Sequence, residues 1–321
     1  MPRVSVVMPA YRVGKTIKAA VCSVLHQSYD DFELLVVNDG CPSGSGVLAL
    51  EFGDARVRVI EQSNRGLAGA RNTGIAHAQG DYVALLDGDD RWHPHKLKHH
   101  VALLDAHPTV GVSYSASALI DDAGRRLNLT QQPKLRKVTE RDVFCRNPVG
   151  NGSAAVVRRE VFDDIAFVAM EAGGLNYFDE SFRQSEDIEC WTRIALTTNW
   201  EFRGIGLPLT DYRVCADGLS ADVIQQFASW QRMVEVARDI DPAFVQRYGH
   251  IAQAYQLRYL ARRLVRMGDG AFACQLMLDA LKSHPRMCLE EPRKTATTVA
   301  ATLLLRGLGE TRYAVLERLA R

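Results

Sequence analysis

Short apolar runs alternate with segments of helical periodicity between residues 4 and 86. The apolar runs are rich in Val, Ile and Leu, which is typical of strands buried on both faces of a sheet. Between them, apolar side chains recur at helical spacing from Ile17 to Leu25, where Thr16 is a suitable N-cap, and Gly66–Ala78 is a second predicted helix. Strands that alternate with helices predict an α/β domain with a mostly parallel sheet flanked by helices. The predicted strands are Val4–Met8, which stops at Pro9, and Leu34–Val37, Val57–Ile60 and Tyr82–Leu86.

The pattern changes beyond the fourth predicted strand. A longer apolar segment, Val110–Ile120, predicts another strand, and Asp121–Gly124 has the composition of a turn. Ser153–Arg158 is a further predicted strand. Glu186–Leu196 is a predicted helix with Ser185 as its N-cap.

From about Ala228 onward the chain is helical in pattern and richer in Arg. Periodic apolar positions predict two helices, Ile251–Met267 and Ala271–Ser283, joined into a hairpin by a Gly-Asp turn. We therefore divide the chain into an α/β region at 1–220 and a helical region at 221–321. We expect the helical region to serve acceptor binding, assembly or contact with a membrane surface.

The composition is that of an ordinary water-soluble globular protein. Of the 321 residues, 47% are hydrophobic and 24% are charged, and the formal net charge of +1 argues against broad attraction to nucleic acid. The seven Cys include no Cys-x-x-Cys pair, which is typical of reduced cytoplasmic thiols. No segment reaches the roughly 18 apolar residues of a membrane span. We therefore expect a cytoplasmic protein. Its Arg-rich helices form a solvated surface, self-associate, or lie on anionic lipid at the inner face of a membrane.

The strongest signal for chemistry is the acidic segment that ends the fourth predicted strand. There the strand runs into Asp87-Gly88-Asp89-Asp90, which brings three carboxylates into one turn. Ligands bind beyond the carboxyl ends of strands in open α/β sheets. Grouped carboxylates repel one another unless a cation joins them, and Mg²⁺ or Mn²⁺ prefers such oxygen ligands and can bridge to substrate phosphates. A solvated acidic turn is the alternative when this segment is taken alone.

Three other strand ends carry polar or aromatic residues at the same predicted edge of the sheet. Tyr11 could pack against a base, and Asp39 could accept the imide N–H of uracil or thymine. Arg71, on the helix that follows, could face phosphate. Turn or capping chemistry is the better explanation of each residue when it is taken alone, so the inference depends on their convergence. The three strand ends are Pro9-Ala10-Tyr11, Asn38-Asp39-Gly40 and Asn64-Arg65-Gly66.

The order of these motifs along the chain resembles that of family 2 glycosyltransferases with the GT-A fold. The motifs are P-A-Y, N-D-G, N-R-G-L-A-G-A-R-N-T-G, L-L-D-G-D-D-R-W-H-P and S-E-D-I-E-C-W, within Val4 to about Ser220. The resemblance implies a Rossmann-like domain that transfers a sugar, with inversion, from a nucleotide-diphosphate donor to an acceptor hydroxyl. It further implies a UDP-sugar as the usual donor and Mn²⁺ or Mg²⁺ as the cofactor. The acceptor would be a glycan, a glycolipid or other lipid-linked sugar, or a glycoprotein.

The same resemblance implies roles for individual residues. Asp187 matches the position of the catalytic base, and Asp89 would coordinate the metal on the diphosphate. Asn64 and Arg71 complete the predicted donor site. The other donor-binding residues are Asp39 on the base, Pro9, Ala10 and Tyr11 around it, Asp87 near the ribose and Arg213 over the diphosphate.

The position of Asp187 supports its role independently. It lies in the first turn of a predicted helix, where the helix dipole favours the ionised carboxylate, and an inverting transfer needs a base for the acceptor hydroxyl proton. Helix-start electrostatics is the alternative explanation. Trp191, one turn later, is predicted to be a core residue rather than a platform for acceptor sugar.

The chain departs from the family pattern at two cysteines. Cys215 stands where a His is common, and we expect it to pack as a small hydrophobic residue while Arg213 contacts the diphosphate. Cys41 follows Gly40 where the family usually has Ser. Since Asp39 is retained, we expect base recognition to be little affected.

Two further signals suggest other chemistry and are weaker. Gly14-Lys15-Thr16 resembles the end of a P-loop, but Pro9 stands where that motif needs Gly. Four histidines invite a zinc site, but no carboxylate or Cys completes the set, so we expect a solvated helix face. These histidines are His93, His95, His99 and His100.

Two rival functions remain open at this point. A nucleotidyltransferase also uses a parallel sheet and acidic metal ligands, but it would be expected to carry a Gly-rich basic loop after the first strand, which Pro9–Gly14 lacks. The other rival is a catalytically inactive GT-A scaffold that carries a helical interaction module. The presence of both Asp89 and Asp187 argues against it.

Overall fold

The computed structural model describes residues 1–168, 174–214 and 222–320, with side chains as far as Tyr313. The chain forms two compact units, Met1–Val143 with Asn147–Gly218, and Phe144–Arg146 with Leu219–Arg321. The division that we placed at residue 220 is close to this one, and the separate roles that we assigned to the two regions stay predictions.

The strands among the described residues all belong to the first unit. They are β1 (Val4–Ala10), β2 (Phe32–Asp39), β3 (Val57–Gln62), β4 (Tyr82–Leu85), β5 (Arg91–Trp92), β6 (Val110–Ile120), β7 (Arg126–Gln131), β8 (Ala155–Arg158), β9 (Phe167–Val168), β10 (Leu175–Asn176) and β11 (Glu201–Arg213).

The helices occur in both units. Those that begin in the first unit are α1 (Ile17–Leu25), α2 (Gly66–His77), α3 (Lys96–Ala106), α4 (Glu140–Arg146), α5 (Arg159–Ile165) and α6 (Glu186–Thr197), with 3-10 turns at Ser45–Phe52 and Gly152–Ala154. The helices of the second unit are α7 (Val223–Ile240), α8 (Pro242–Arg266), α9 (Gly270–Ser283), α10 (Met287–Glu290) and α11 (Pro292–Ala320).

One large sheet has the strand order β3-β2-β1-β4-β8-β6-β11-β5, with β7 beside β6. Strands β1 to β4 pair in parallel, β8 is antiparallel to both of its neighbours, and β11 is parallel to β6. Helices cover both faces of this sheet. The predicted α/β fold with a helical C-terminal region is therefore confirmed. Strand β11 was not predicted from the sequence.

The register of the parallel strands brings their carboxyl ends to one edge. Ala10 is paired with Asn38, and Asp39 with Gln62. Strand β1 continues through Pro9 rather than stopping there, because β4 pairs with β1 only as far as Val7. Pro9 has no N–H to donate, so it is tolerated where one side of the strand has no partner.

Successive side chains of the buried strands point to opposite faces of the sheet and pack into two hydrophobic cores, one on each face. Val7 and Leu35 belong to the core beneath α2, α5 and α6, whereas Val6 and Leu34 belong to the core beneath α1 and α3. Trp191 is fully buried in the first of these cores. Its ring packs edge-to-face on Phe178 with centroids 6.2 Å apart, which confirms that Trp191 is a core residue.

The second unit contains the predicted helical hairpin. Helices α8 and α9 are joined at Gly268, whose φ of 82° favours glycine, and Asp269 caps α9 by accepting the N–H of Phe272 at 2.9 Å. Helix α11 packs along α9, and its backbone departs from helical geometry at Gly309.

Two glycines within helices lead to opposite expectations for the same substitution. A Cβ added to Gly74 of α2 would lie 2.3 Å from Cγ1 of Val7, whereas nothing lies within 4 Å of one added to Gly307 of α11. Gly74→Ala is expected to lower the free energy of unfolding by about 1–3 kcal/mol through overpacking. Gly307→Ala is expected to raise it by up to about 1 kcal/mol through helix propensity. Urea denaturation of both variants checks this, and a stable Gly74→Ala protein would contradict the close packing of α2 on β1.

Candidate active site

The acidic segment forms a tight turn directly beyond β4. The N–H of Asp90 donates to the carbonyl of Asp87 at 3.0 Å, and the hydroxyl of Thr16 donates to the carbonyl of Gly88 at 2.9 Å. A Cβ at Gly88 would lie 3.1 Å from the carbonyl oxygen of Pro9. The segment after β1 therefore lies against the acidic turn, and glycine permits the close approach.

The carboxylates of this turn are only partly compensated. Burial, and then the charge of Asp87, raise the pKa of Asp89 to about 6. Burial also raises the pKa of Asp90, whose Oδ1 accepts the N–H of Arg213 at 2.7 Å and whose buried Oδ2 has no hydrogen-bond partner. A buried carboxylate oxygen without a donor is costly, so this turn is a place where a cation would be stabilised.

Arg213 braces the acidic turn from the end of β11. Its Nε donates to the carbonyl of Asp89 at 2.7 Å, and its Nη1 donates to the carbonyls of Asp121 and Asp122 at 2.8 and 2.9 Å. The side chain is buried. In this structure Arg213 ties two turns together, and its predicted contact with the diphosphate stays a prediction.

Arg71 lies beneath the site rather than on its surface. Its side chain is 1% exposed, Nη2 donates to Asp87 at 2.8 Å, and Nη1 donates to Glu186 at 2.7 Å. A Cβ at Gly152 would lie 2.4 Å from Nη2, so the 3-10 turn presses directly on the guanidinium. Burial lowers the pKa of Arg71, but the surrounding carboxylates raise it above its ordinary value. This arrangement favours a role in positioning Asp87 and Glu186 over the phosphate contact that we expected.

Asp187 lies in the first turn of α6, as predicted, with Ser185 as N-cap. Its environment corrects our electrostatic expectation. Burial, and then the charge of Glu186, raise the pKa of Asp187 to about 7, although Arg71 acts in the opposite direction. The effect expected of the helix dipole is therefore outweighed, and the carboxylate is matched to proton transfer near neutral pH.

Asp39 is almost fully buried at the end of β2. Its Oδ1 accepts the side-chain amide of Gln62 at 2.6 Å and the N–H of Arg65 at 2.8 Å, while Oδ2 accepts the N–H of Gly66 at 2.9 Å. Asn64 donates to the carbonyl of Asp39 at 3.0 Å. Asp39 thus organises the start of α2, and one acceptor position on Oδ2 is left over.

The segment that follows β1 contacts the segment that follows Asp39. This contact was not predicted from the sequence. The N–H of Arg12 donates to the sulfur of Cys41 at 3.1 Å. Burial raises the pKa of Cys41, but hydrogen bonds from Ser43 and Ser45 help to lower it to about 6. Pro9 and Ala10 are buried in the strand. Tyr11 is exposed, and the guanidinium of Arg12 lies 5.1 Å from the centre of its ring.

The histidine cluster is not one solvated face. His93, His95 and His99 are exposed, but His100 is fully buried, where its Nδ1 lies 2.7 Å from the hydroxyl of Ser113. Lys96, one turn earlier, is also fully buried. Among the residues that the structure describes, no group of three His, Cys, Asp or Glu is arranged to hold a metal by itself. Cys215, which we expected to pack as a small hydrophobic residue, lies outside the described residues.

The sequence matches those of known glycosyltransferases. The profile of Glycosyl transferase family 2 matches residues 5–166. The Escherichia coli protein "UDP-Glc:alpha-D-GlcNAc-diphosphoundecaprenol beta-1,3-glucosyltransferase WfgD" is 39% identical over 237 residues, which cover 74% of this chain and 85% of that protein. The uncharacterized glycosyltransferase EpsJ of Bacillus subtilis is 47% identical over 92 residues, but these cover only 28% of this chain and 27% of EpsJ.

Solved structures share the fold. The mannosyltransferase PcManGT from Pyrobaculum calidifontis, in complex with GDP-Man and Mn²⁺, superimposes with a TM-score of 0.59 at 21% identity and covers 96% of this chain and 86% of that one. S. aureus TarS 1-349 in complex with UDP-GlcNAc has a TM-score of 0.56 at 16% identity and covers 98% and 84%. Because the family profile spans half of the chain and WfgD aligns along most of its length, the chain belongs to glycosyl transferase family 2 and is a glycosyltransferase.

Proposed function

We propose that this glycosyltransferase moves a sugar, with inversion, from a UDP-sugar to a hydroxyl of a lipid-linked glycan, with Mn²⁺ or Mg²⁺ as cofactor. The observation that carries the proposal is the charge imbalance at the carboxyl edge of the sheet. Two guanidinium groups, those of Arg71 and Arg213, lie among a larger set of carboxylates and are already engaged by protein groups. The carboxylates are Asp87, Asp89, Asp90, Glu186 and Asp187.

This excess of negative charge supports a metal cofactor. A nucleotide diphosphate would be repelled from so many carboxylates unless a cation accompanied it. Asp89, with its raised pKa, and the unpartnered Oδ2 of Asp90 offer oxygen ligands of the type that Mg²⁺ and Mn²⁺ prefer. Such ions are often bound by one or two carboxylates together with substrate phosphates, so a three-residue protein cluster is not required. When bound, the cation would stabilise the charge that develops on the departing diphosphate.

The proposed base is Asp187. As the acceptor oxygen attacks the anomeric carbon, the hydroxyl proton passes to the Asp187 carboxylate and the bond to the diphosphate breaks with its electron pair on the leaving oxygen. A single displacement of this kind inverts the anomeric centre. Arg71 contributes indirectly, since it holds Asp87 on the donor side and Glu186 beside the base.

The hydrogen bonds of Asp39 favour uracil as the base of the donor. Three of the four acceptor positions of its carboxylate are taken by Gln62, Arg65 and Gly66. Uracil presents one imide N–H, which matches the remaining position, whereas guanine presents an N–H and an amino group side by side. The name of the relative WfgD also includes a UDP-sugar donor.

The acceptor proposal is supported by that relative and by the surface of α11. WfgD is named for a diphosphoundecaprenol-linked acceptor. In helix α11, Thr298 and Thr302 are buried, whereas the neighbouring Leu303 and Leu304 are 55% and 46% exposed. Residues 222–321 contain 15 Lys and Arg against 10 Asp and Glu. An apolar strip on a basic unit suits the surface of an anionic membrane, where a lipid-linked acceptor would be held. Among the described helices, none is long and apolar enough to span a membrane.

The first prediction concerns the metal. Asp89→Asn is expected to weaken the Mn²⁺-dependent binding of UDP at least about tenfold and to abolish transfer, because an amide is a poorer ligand for a hard cation. Thermal shift with UDP, with and without Mn²⁺, checks this. Asp54→Asn, at a partly buried carboxylate that is paired with Arg56 and lies outside the acidic turn, serves as a control for the loss of a carboxylate as such. Equal metal dependence in Asp89→Asn and wild type would refute the assignment.

The second prediction concerns the base and its pH dependence. Since Asp187 acts as the anion, kcat/KM is expected to fall as pH drops below about 7. Glu186→Gln removes the neighbouring charge that raises this pKa, so the acid limb is expected to move to lower pH. Asp187→Asn should bind donor but lose at least about 10²-fold in turnover. Initial rates from about pH 5 to about pH 9 test all three proteins. If the acid limb of the pH profile lay at the same pH in Glu186→Gln as in wild type, the titrating group would be one other than Asp187.

The third prediction concerns the membrane. The double variant Leu303→Ser/Leu304→Ser is expected to bind vesicles of phosphatidylglycerol and phosphatidylethanolamine at least about tenfold more weakly than wild type, because each exposed Leu contributes apolar burial at the interface. Leu127→Ser/Leu129→Ser on β7, where both leucines are also exposed, is the matched control. Co-sedimentation measures binding. Unchanged vesicle binding by the α11 variant would contradict the proposal. It would also be contradicted if the wild-type protein did not bind vesicles but formed a dimer through these leucines.

A further inference from the structure

A lysine with no place in the transfer mechanism lies in the interior beside the acidic turn. Lys96, the first residue of α3, is completely buried. Its Nζ donates to the carbonyl of Ala154 at 3.0 Å and to the hydroxyl of Thr210 at 3.2 Å, and it lies 3.3 Å from Nε2 of His100. The ammonium also lies 5.3 Å from the centre of the Trp92 ring.

Stability alone does not explain this lysine. Among the described residues, no carboxylate is within ion-pair distance of Nζ, and burial lowers the pKa of Lys96 well below its usual value while the charge of Asp90 partly counteracts this. A buried charged or strongly polar group without an ion partner is costly, and an apolar side chain of similar volume is often at least as stable in such a place. A side chain that is retained at such a cost is a candidate for a role in function.

Hydrogen bonds lead from Lys96 to the first residue of the acidic turn. The hydroxyl of Thr210, which accepts from Lys96, donates to the carbonyl of Ser153 at 3.3 Å, and Nε1 of Trp92 donates to the same carbonyl at 2.9 Å. The hydroxyl of Ser153 in turn accepts the N–H of Asp87 at 3.0 Å. Lys96 therefore holds two consecutive carbonyls, directly at Ala154 and through Thr210 at Ser153.

The 3-10 turn at Gly152–Ala154 is the element that this network fixes. Ser153 on this turn meets the backbone of Asp87, and Gly152 presses against the guanidinium that binds the side chain of Asp87. A shift of the turn would move both supports of Asp87 together. The buried His100 and its partner Ser113 lie at the other end of the network, on the far side of Lys96 from Asp87.

We propose that Lys96 is a positioning residue, which holds the 3-10 turn so that the acidic turn keeps the geometry needed to bind the cation and the nucleotide diphosphate. Lys96 acts through Ala154, Thr210 and Ser153 and does not touch the substrate. The inference rests on the proposed metal-assisted function, since the property that it explains is the affinity of the acidic turn for a divalent cation.

The test separates geometry from folding. Lys96→Met keeps the unbranched apolar stem of the side chain and removes the donor, and it is expected to raise the apparent Kd for Mn²⁺ in the presence of UDP at least about tenfold while the protein remains folded. Excess Mn²⁺ is expected to restore part of the transfer activity. Calorimetric titration of Mn²⁺ into the UDP complex gives the affinity independently of activity, and circular dichroism reports the fold.

Three further variants make the outcome decisive. Lys98→Met makes the same change at an exposed position of the same helix and is expected to match wild type. Thr210→Val interrupts the network nearer the acidic turn, so it is expected to weaken Mn²⁺ binding even if Lys96→Met does not fold. Ser113→Ala disturbs the far end and is expected to affect stability but not Mn²⁺ affinity.

The possible failures are distinguishable. If wild type shows no Mn²⁺-dependent binding of UDP, the metal-assisted function itself fails. If wild type depends on Mn²⁺ but folded Lys96→Met and Thr210→Val bind it normally, the proposed role of Lys96 is wrong. An equal loss of Mn²⁺ affinity in Ser113→Ala would also overturn it, because that result would indicate general softening of the core.

Discussion

The buried ion-paired guanidinium of Arg71 is the interaction on which the rest of the site depends. Its two terminal nitrogens bind Asp87, in the turn beyond β4, and Glu186, at the start of α6. These two carboxylates are separated by 99 positions along the chain but share one guanidinium. Removing a charge from water costs several kcal/mol, and only good geometry with its partners offsets that cost. The glycine at position 152 belongs to the same constraint, because a larger residue would displace the guanidinium. The acidic turn and the start of α6, where we propose the metal and the base, are thus fixed relative to each other inside one compact unit.

Other side chains of the site hold the backbone segments that surround the carboxylates. Arg213 donates to three carbonyls, and Asp39 accepts two N–H groups at the start of α2. Side chains that the sequence predicts to bind ligand therefore also fix the backbone of the neighbouring loops. A side chain that is already fixed by protein contacts loses less conformational freedom when substrate binds, so these contacts would favour binding.

Much of the fold followed from local pattern. The buried strands β1, β2 and β4, the helix that carries Asp187 and the hairpin of α8 and α9 were predicted, because each has a strong period or a clear cap. Strand β11 was missed because Gly204, Gly206 and Pro208 interrupt its pattern. Register shifts around Pro208 absorb these residues while the strand still pairs with β6.

The burial of charged side chains could not be predicted in the same way. His100 was expected on a solvated face, and Lys96 was not singled out, since Lys and His usually occupy the surface of a helix. Their partners, Ala154, Thr210 and Ser113, come from distant strands and turns, and no window of sequence contains them. The same holds for Arg71, whose partner Glu186 lies 115 residues away. A sequence shows that a basic side chain is present, but only the fold shows which groups surround it.

The raised pKa of Asp187 shows how function and stability oppose each other in this site. The carboxyl group of an unfolded chain has a pKa of about 4, whereas burial and Glu186 raise the pKa of Asp187 in the folded protein to about 7. The protonated form is therefore favoured by folding, and this contribution to stability is present at low pH and is lost as pH rises to about 7. The base that we propose must work as the anion, so transfer would require the pH range in which this group no longer stabilises the fold. The ion pairs of Arg71 with Asp87 and Glu186 fix the start of α6, and they thereby hold the destabilised carboxylate of Asp187 in place.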